Sequence, residues 1–163
     1  MPRQKLVFDT SVCLDLALSG LLDSVVQLRY DLLLPDVIVA ELIEPPGEDL
    51  LRRGFIQESF SSDEVQQVLN LHRKYPMETV NDLFGLLLAQ KNSCSLITGD
   101  AGLRKTAQSE SVEVHGLLWL LDLMVEENAL DPLAAANALE LLMGKKRWLP
   151  KAESEKRIKT WRR

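Results

Sequence analysis

Short apolar runs alternate with helix-spaced apolar patterns along most of the chain. The runs predict buried strands at residues 5–9, 32–34, 54–60, 94–97 and 112–114. The spaced patterns predict helices at residues 12–18, 21–30, 36–44, 61–75, 78–91, 101–108, 116–127 and 132–143, followed by a basic amphipathic helix after Pro150. Strands that alternate with helices indicate an α/β fold, in which a mostly parallel central sheet carries helices on both faces.

Capping residues and prolines indicate where several of these helices begin and end. Thr10-Ser11 is predicted to cap the first helix, and Ser61-Ser62-Asp63-Glu64 to cap the helix that reaches Tyr75. The segment Pro45-Pro46-Gly47 is predicted to end the helix that starts at Asp36. No helix is therefore predicted between this segment and the strand at 54–60.

Two of the predicted strands lead to an aspartate. Asp9 closes the run Lys5-Leu6-Val7-Phe8-Asp9, and Asp100 follows Ser95-Leu96-Ile97-Thr98-Gly99. In open α/β sheets the ligand crevice lies outside the carboxyl ends of the strands, so both aspartates are expected at one edge of the sheet. Two neighbouring carboxylates repel each other unless one binds a proton or a cation lies between them. The pattern therefore predicts an acidic metal site.

Two further acids lie among apolar residues of predicted helices. Glu41 follows Val37-Ile38-Val39-Ala40, and Asp82 precedes Leu83-Phe84-Gly85-Leu86-Leu87-Leu88. An acid that faces the core costs free energy unless it is paired or binds a cation. Taken alone, each is better explained as a solvent-facing residue, but the ordered set of four acids points to one site.

The four acids, in this order, resemble those of the PIN-domain nucleases. The segment Leu96-Ile97-Thr98-Gly99-Asp100-Ala101-Gly102-Leu103-Arg104, followed by Val112-Glu113-Val114-His115-Gly116, is similar to the closing strand–helix–strand of that family. The resemblance extends over residues 5 to about 127 and is closest to the toxin branch, the VapC-type ribonucleases of toxin–antitoxin pairs. It implies a PIN-like three-layer fold, RNA as the substrate and a cognate antitoxin as a partner.

The resemblance also implies the roles of individual residues. Thr98, and Ser11 less closely, matches a hydroxyl residue that assists the reaction in the family. Mg²⁺ and Mn²⁺ prefer hard oxygen ligands, so a cluster of carboxylates without Cys or His suits either ion. Such an ion can deprotonate a water and neutralise charge on the scissile phosphate, which predicts a Mg²⁺- or Mn²⁺-dependent endoribonuclease. The four residues that would hold it are Asp9, Glu41, Asp82 and Asp100.

Other α/β families that place an aspartate after the first strand fit less well. A haloacid-dehalogenase phosphatase requires a second aspartate two residues later, where this chain has Ser11. A phosphoacceptor receiver domain requires a lysine where this chain has His115-Gly116, and the glycine patterns of nucleotide-binding loops are absent. The alternative that stays open is a PIN-like module that binds RNA or protein and regulates without cleaving.

Composition and charge predict the compartment and a basic terminus. The chain has no long apolar run and begins with Pro2-Arg3-Gln4-Lys5, which predicts a cytoplasmic protein without a membrane span or signal peptide. Residues 145–163 hold nine Lys and Arg against two Glu, a net charge of +7, whereas residues 1–144 carry −12. We therefore expect a nuclease domain at 1–144 and a basic C-terminal extension at 145–163 that is not a separate domain. Three roles stay open for it: contact with RNA phosphates or an acidic partner, neutralisation of the acidic body, or a solvated tail.

The helix predicted at 116–127 is apolar nearly all round. Trp119 lies among Leu117, Leu118, Leu120 and Leu121 in this helix. This pattern indicates that Trp119 lies in the core or at an interface. An oligomer interface is the more attractive explanation, because an isolated chain would have difficulty covering such a surface, and it predicts a homo-oligomer.

Overall fold

The computed structural model describes residues 2–145, 147 and 149–163, so Lys146 of the predicted basic extension lies outside the described residues. The strands are β1 Gln4–Phe8, β2 Tyr30–Pro35, β3 Ile56–Glu58, β4 Ser95–Ile97 and β5 Val114–His115. The helices are α1 Thr10–Leu18, α2 Leu22–Val25, α3 Asp36–Glu41, α4 Gly47–Arg53, α5 Ser62–Lys74, α6 Val80–Asn92, α7 Ala101–Ser109, α8 Leu117–Glu126, α9 Pro132–Gly144 and α10 Lys151–Trp161.

The sheet is parallel throughout, with the strand order β3-β2-β1-β4-β5. Leu6 of β1 lies opposite Leu32 of β2, and Val7 of β1 lies opposite Leu96 of β4. The chain adds β2 and β3 on one side of β1 and then β4 and β5 on the other, so the strand order reverses between β1 and β4. A crevice outside the carboxyl ends of the strands is expected at such a reversal. Asp9 follows one of these two strands directly, and Asp100 follows the other after two residues.

Both faces of the sheet are covered by helices, because successive side chains of a strand point to opposite faces. Leu6 and Phe8 belong to one apolar core, which includes residues of α1, α8 and α9. Val7, between them, belongs to a second core with residues of α5, α6 and α7. The predicted α/β fold with helices on both faces is thus confirmed, with a sheet that is parallel in every strand pair.

The apolar helix α8 is covered within the chain itself. Its Trp119 packs against the same apolar core as Ile158 and Trp161 of α10. The guanidinium of Arg157 in α10 donates to both carboxylate oxygens of Asp122 in α8, at 2.9 and 2.8 Å. This packing covers the apolar surface of α8 from which we expected a homo-oligomer. The homo-oligomer therefore stays a prediction, and the apolar surface of α8 no longer supports it. None of the described helices combines the length and apolar character that crossing a membrane requires.

The basic extension folds onto the acidic body of the molecule. Three of its arginines form ion pairs with acids of residues 1–144: Arg147 with Asp15, Arg157 with Asp122 and Arg162 with Glu140. Neutralisation of the body was one of the three roles left open for this segment. For these arginines, the ion pairs support that role.

Two predicted helices near the start of the chain are longer than the observed ones. The helix predicted at 21–30 ends at Val25, because the amides of Gln27 and Leu28 bond to carbonyls three residues back and tighten the chain into a turn. The helix predicted at 36–44 ends at Glu41, since Leu42 has an extended backbone, with ψ 122°. Both corrections come from local backbone geometry that the apolar pattern does not encode.

Helix α4 was not predicted, because Pro45-Pro46-Gly47 was interpreted only as the end of the preceding helix. In the structure, Pro46 precedes the first turn of α4 and Gly47 is its first residue. A Cβ at Gly47 would lie 2.1 Å from the carbonyl oxygen of Val39, so only glycine allows α4 to approach α3 this closely.

Candidate metal centre

Asp9 lies at the carboxyl end of β1 and is almost wholly buried, with 2% of its surface exposed. Its backbone N–H donates to the carbonyl of Ile97 at 3.2 Å, which holds it at the junction of β1 and β4. Its Oδ1 accepts hydrogen bonds from the Ser11 hydroxyl at 2.8 Å and from the Val12 amide at 3.1 Å. Asp9 therefore caps α1, which corrects the cap predicted at Thr10-Ser11.

Thr98 is fully buried and joins the two aspartates at the ends of the central strands. Its hydroxyl donates to Oδ2 of Asp9 and accepts the backbone N–H of Asp100 at 3.1 Å. A hydroxyl has one proton to donate, so the proton of Thr98 is committed to Asp9. Ser11 acts in a similar way, since it donates to Asp9 and accepts from the amide of Gly99 at 3.3 Å. Both hydroxyls thus hold the Asp9 carboxylate in position.

Asp100 caps α7 and stays exposed to solvent. Its Oδ1 accepts from the amides of Gly102 at 2.9 Å and Leu103 at 3.4 Å. This leaves the carboxylate at the start of α7, beside the end of β4. Its placement agrees with the carboxyl-edge position that the sequence predicts for it.

Three acids meet in a triangle at this edge: Glu78, Asp82 and Asp100. One carboxylate oxygen of each lies within 4.8 Å of the others, and in the described part of the chain this is the one group of three or more Asp, Glu, His or Cys side chains that meet so closely. Thr79 caps α6 and accepts the amide of Asp82 at 3.1 Å. Glu78, just before that cap, accepts the hydroxyl of Thr106 from α7 at 3.1 Å. The triangle therefore joins the start of α6 to the start of α7.

Burial and mutual repulsion raise the pKa of two carboxyl groups here. The pKa of Asp82 is raised to about 6, mainly by burial and further by the charges of Asp9, Asp100 and Glu78, against a hydrogen bond with Thr79 that lowers it. Burial also raises the pKa of Asp9, to which the charge of Asp100 adds, although its hydrogen bonds oppose the shift. Thr98, which bonds to both Asp9 and the amide of Asp100, places Asp9 beside the triangle. Carboxylates crowded in this way favour a bound proton or a bound cation.

Glu41 lies apart from the triangle. It is exposed at the end of α3, and its Oε2 accepts the hydroxyl of Thr10 at 2.7 Å. Because Thr10 directly follows Asp9, Glu41 lies at the same edge of the sheet. Of the four predicted acids, Asp82 and Asp100 thus lie in the triangle with Glu78, Asp9 is linked to Asp100 through Thr98, and Glu41 lies outside the triangle.

Glu78 was not among the predicted site residues and entered only as the first residue of the helix predicted at 78–91. One signal was available: Glu78 and Asp82 are four residues apart, which is close to one helical turn. The approach of Asp100 from α7 is a tertiary contact that this spacing does not reveal.

Comparison with known proteins gives a family and two related structures. The family model DUF3368, described as a PIN domain, matches residues 5–163. A PilT N-terminus domain protein, SSO1118 from Sulfolobus solfataricus P2, is similar with a TM-score of 0.54 and 16% identity, over 76% of this chain and 95% of that one. PAE2754 from Pyrobaculum aerophilum is similar with a TM-score of 0.55 and 16% identity, over 76% and 98%. At this identity the structural likeness shows the fold alone. None of the curated proteins matches the chain.

Proposed function

Because the chain belongs to the PIN-domain family, we propose that it is a metal-dependent endoribonuclease that hydrolyses phosphodiester bonds of RNA. PIN domains commonly have nuclease activity and typically use divalent metals, which makes nucleic acid the expected substrate class. The observation that carries the proposal is the triangle of Glu78, Asp82 and Asp100, whose oxygens lie within 4.8 Å of one another. The choice of RNA rests on the resemblance to VapC-type ribonucleases.

The donor atoms of the triangle suit Mg²⁺ or Mn²⁺. All are carboxylate oxygens, which are the hard ligands that both ions prefer. Asp100 uses Oδ1 to cap α7, and Glu78 uses Oε1 to bind Thr106, so in the described hydrogen bonds the second oxygen of each stays available. A divalent ion held there supplies positive charge for the scissile phosphate and increases the acidity of a bound water.

The neighbouring residues hold the triangle and set its charge. Oδ2 of Asp9 accepts only the Thr98 hydroxyl in the described hydrogen bonds, so its second lone pair stays available to a cation, and we keep Asp9 in the proposed site. Thr98 is a positioning residue in this proposal, because it links Asp9 to the backbone of Asp100. Asp82 has a pKa near 6 and loses its proton when a cation offsets the neighbouring charges.

A narrower part of the proposal is that the chain is the toxin of a toxin–antitoxin pair in the cytoplasm. It rests on the resemblance of Leu96–Arg104 to the VapC-type branch, which also implies a cognate antitoxin. If this is correct, expression of the chain arrests growth, and co-expression of a small DNA-binding protein from the adjacent reading frame relieves the arrest. Unimpaired growth at a high level of expression would contradict the toxin role and leave the nuclease proposal to be judged by cleavage.

Cleavage of single-stranded RNA by the purified protein tests the nuclease proposal against a regulatory module that only binds. We expect cleavage with Mg²⁺ or Mn²⁺, none with chelator, and recovery when Mn²⁺ is added back. Asp9→Asn is expected to abolish cleavage, because an amide keeps the shape of the side chain but loses the charge. RNA binding without hydrolysis under all metal conditions would favour the regulatory module. Cleavage by Asp9→Asn at the wild-type rate would rule out the proposed site.

A further inference from the structure

A pocket of about 210 Å³ lies beside the candidate metal centre, on the side of β5. Gly99, between Thr98 and Asp100, lines this pocket, and so do Arg104 and His115. The amide of Thr98 donates to the carbonyl of His115 at 2.9 Å, which fixes the pocket next to the triangle. It is smaller than a typical pocket for a drug-sized ligand, about 300–1,000 Å³, so it suits one small planar group.

The cation of this pocket is Arg104, which lies one helical turn after Asp100 in α7. Its guanidinium rests against Gly116, where a Cβ would be 3.4 Å from Nη1. Within the part of the chain that the structure describes, no carboxylate forms an ion pair with Arg104. The side chain is exposed, and it lies in the same helix that Asp100 of the acidic triangle caps. It is therefore placed to bind an anion that comes close to the metal centre.

The aromatic part of the pocket is formed by His115 and Trp119. Their rings are stacked, with centroids 4.0 Å apart and planes inclined by 8°. Leu149 and Pro150, from the segment before α10, add apolar lining. Asp15 also lines the pocket, but its carboxylate is paired with Arg147. A flat aromatic pair beside a cation matches the two parts of an unpaired nucleotide, the base and its phosphate.

We propose that this pocket binds a nucleotide of single-stranded RNA adjacent to the one cleaved, with its phosphate on Arg104 and its base on the His115–Trp119 pair. The proposal rests on the proposed nuclease function and extends it to the path of the substrate. The charge at this edge supports it, because the carboxylates of the triangle repel a polyanion and Arg104 offsets that repulsion locally. Single-stranded RNA, rather than a duplex, is specified because only an unpaired base can stack on a side chain.

Binding of a fluorescently labelled RNA octamer, measured by anisotropy in chelator at several salt concentrations, tests the proposal. Arg104→Gln is expected to weaken binding about tenfold and to reduce the slope of log affinity against log salt by about 0.7, as for one lost phosphate contact. Lys105→Gln is the matched control, because Lys105 is the next residue of α7, is exposed and does not line the pocket. It is expected to change the affinity less than about twofold.

The base contact is tested separately at His115. His115→Ala is expected to weaken binding about fivefold with an unchanged salt slope, and His115→Phe to restore it, because stacking needs an aromatic ring and no charge. The proposal would be overturned if Arg104→Gln and Lys105→Gln bound RNA with equal affinity, or if His115→Ala bound it as tightly as the wild-type protein. An acidic protein segment would then be the remaining candidate ligand for the pocket.

Metal-dependent cleavage separates this proposal from the nuclease proposal. All four variants are expected to bind Mn²⁺ like the wild-type protein in calorimetric titrations. If the wild-type protein cleaves RNA but Arg104→Gln binds it normally, only the pocket assignment fails. If the wild-type protein binds RNA through Arg104 but never cleaves it, only the nuclease function fails.

Discussion

The buried hydroxyl of Thr98 donates a hydrogen bond to the carboxylate of Asp9, across the junction between the ends of β4 and β1. Through the same oxygen, Thr98 also accepts the amide of Asp100 at 3.1 Å. One side chain thus fixes the relative positions of two acids that are 91 residues apart in the sequence. This link ties Asp9 to the triangle through Asp100.

The first prediction concerns the strength of this link. Thr98→Val keeps the shape of the side chain but leaves an oxygen of Asp9 buried without its donor, which costs about 1–3 kcal/mol of unfolding free energy. Thr98→Ser keeps the hydroxyl and is the control. Urea unfolding at pH 7 without metal measures both, and equal stabilities of the two variants would show that the hydrogen bond contributes nothing.

The second prediction is the pH dependence of the metal-free protein. The pKa of Asp82 rises from 3.8 to about 6 on folding, so the folded state binds a proton more tightly than the unfolded state. The stability due to this proton is complete below pH 4 and is lost as the pH rises through 6. After allowance for solvent screening, the loss is on the order of 1–2 kcal/mol.

Asp82→Asn removes this titration, so the unfolding free energy is expected to fall less between pH 4 and 6 than in the wild-type protein. The loss that remains comes from Asp9, whose pKa is also raised. Denaturant unfolding at a series of pH values measures the difference. A wild-type stability that increases through this interval in parallel with that of Asp82→Asn would contradict the assignment of the raised pKa to Asp82.

The third prediction decides which glutamate belongs to the metal centre. Glu78 lies within 4.8 Å of Asp82 and Asp100, whereas Glu41 bonds to Thr10 outside the triangle. Glu78→Gln is therefore expected to weaken Mn²⁺ binding at least about tenfold, and Glu41→Gln to have a smaller effect. Calorimetric titration compares the two variants, and the reverse order would restore Glu41 to the position that the family resemblance implies.

The sequence predicted the part of the site that depends on strand ends. Asp9 and Asp100 lie at the carboxyl edge because buried parallel strands are recognisable from short apolar runs. The sequence did not reveal that Glu78 lies in the triangle and Glu41 outside it, because their places depend on where α3 ends and on how α6 meets α7, which are tertiary features. Helix α4 was missed for the same reason, since the contact between Gly47 and Val39 is invisible in the local pattern.

The fourth prediction concerns the basic extension. Arg157 forms a two-oxygen ion pair with Asp122, and both side chains are partly exposed. Arg157→Gln is expected to lower the unfolding free energy by about 0.5–1 kcal/mol and to leave the salt slope of RNA binding unchanged. A double-mutant cycle with Asp122→Asn measures the coupling. A reduced salt slope would instead assign Arg157 to the phosphate-contacting role.

The most direct test of the central claim compares two aspartates that both cap a helix. Asp100 caps α7 within the triangle, and Asp131 caps α9 at an exposed position, where it accepts the amide of Leu133 at 3.1 Å. Asparagine is as good a cap as aspartate, so either Asp→Asn change preserves its helix and removes one charge.

The measurement is the rate of Mn²⁺-dependent cleavage of labelled single-stranded RNA by the wild-type protein and the two variants. We expect Asp100→Asn to lower the rate at least about a hundredfold, which corresponds to the loss of about 2.7 kcal/mol of transition-state stabilisation. Asp131→Asn is predicted to cleave at the wild-type rate. Equal rates for the two variants, or a wild-type rate that is unchanged by removal of the metal, would contradict the account.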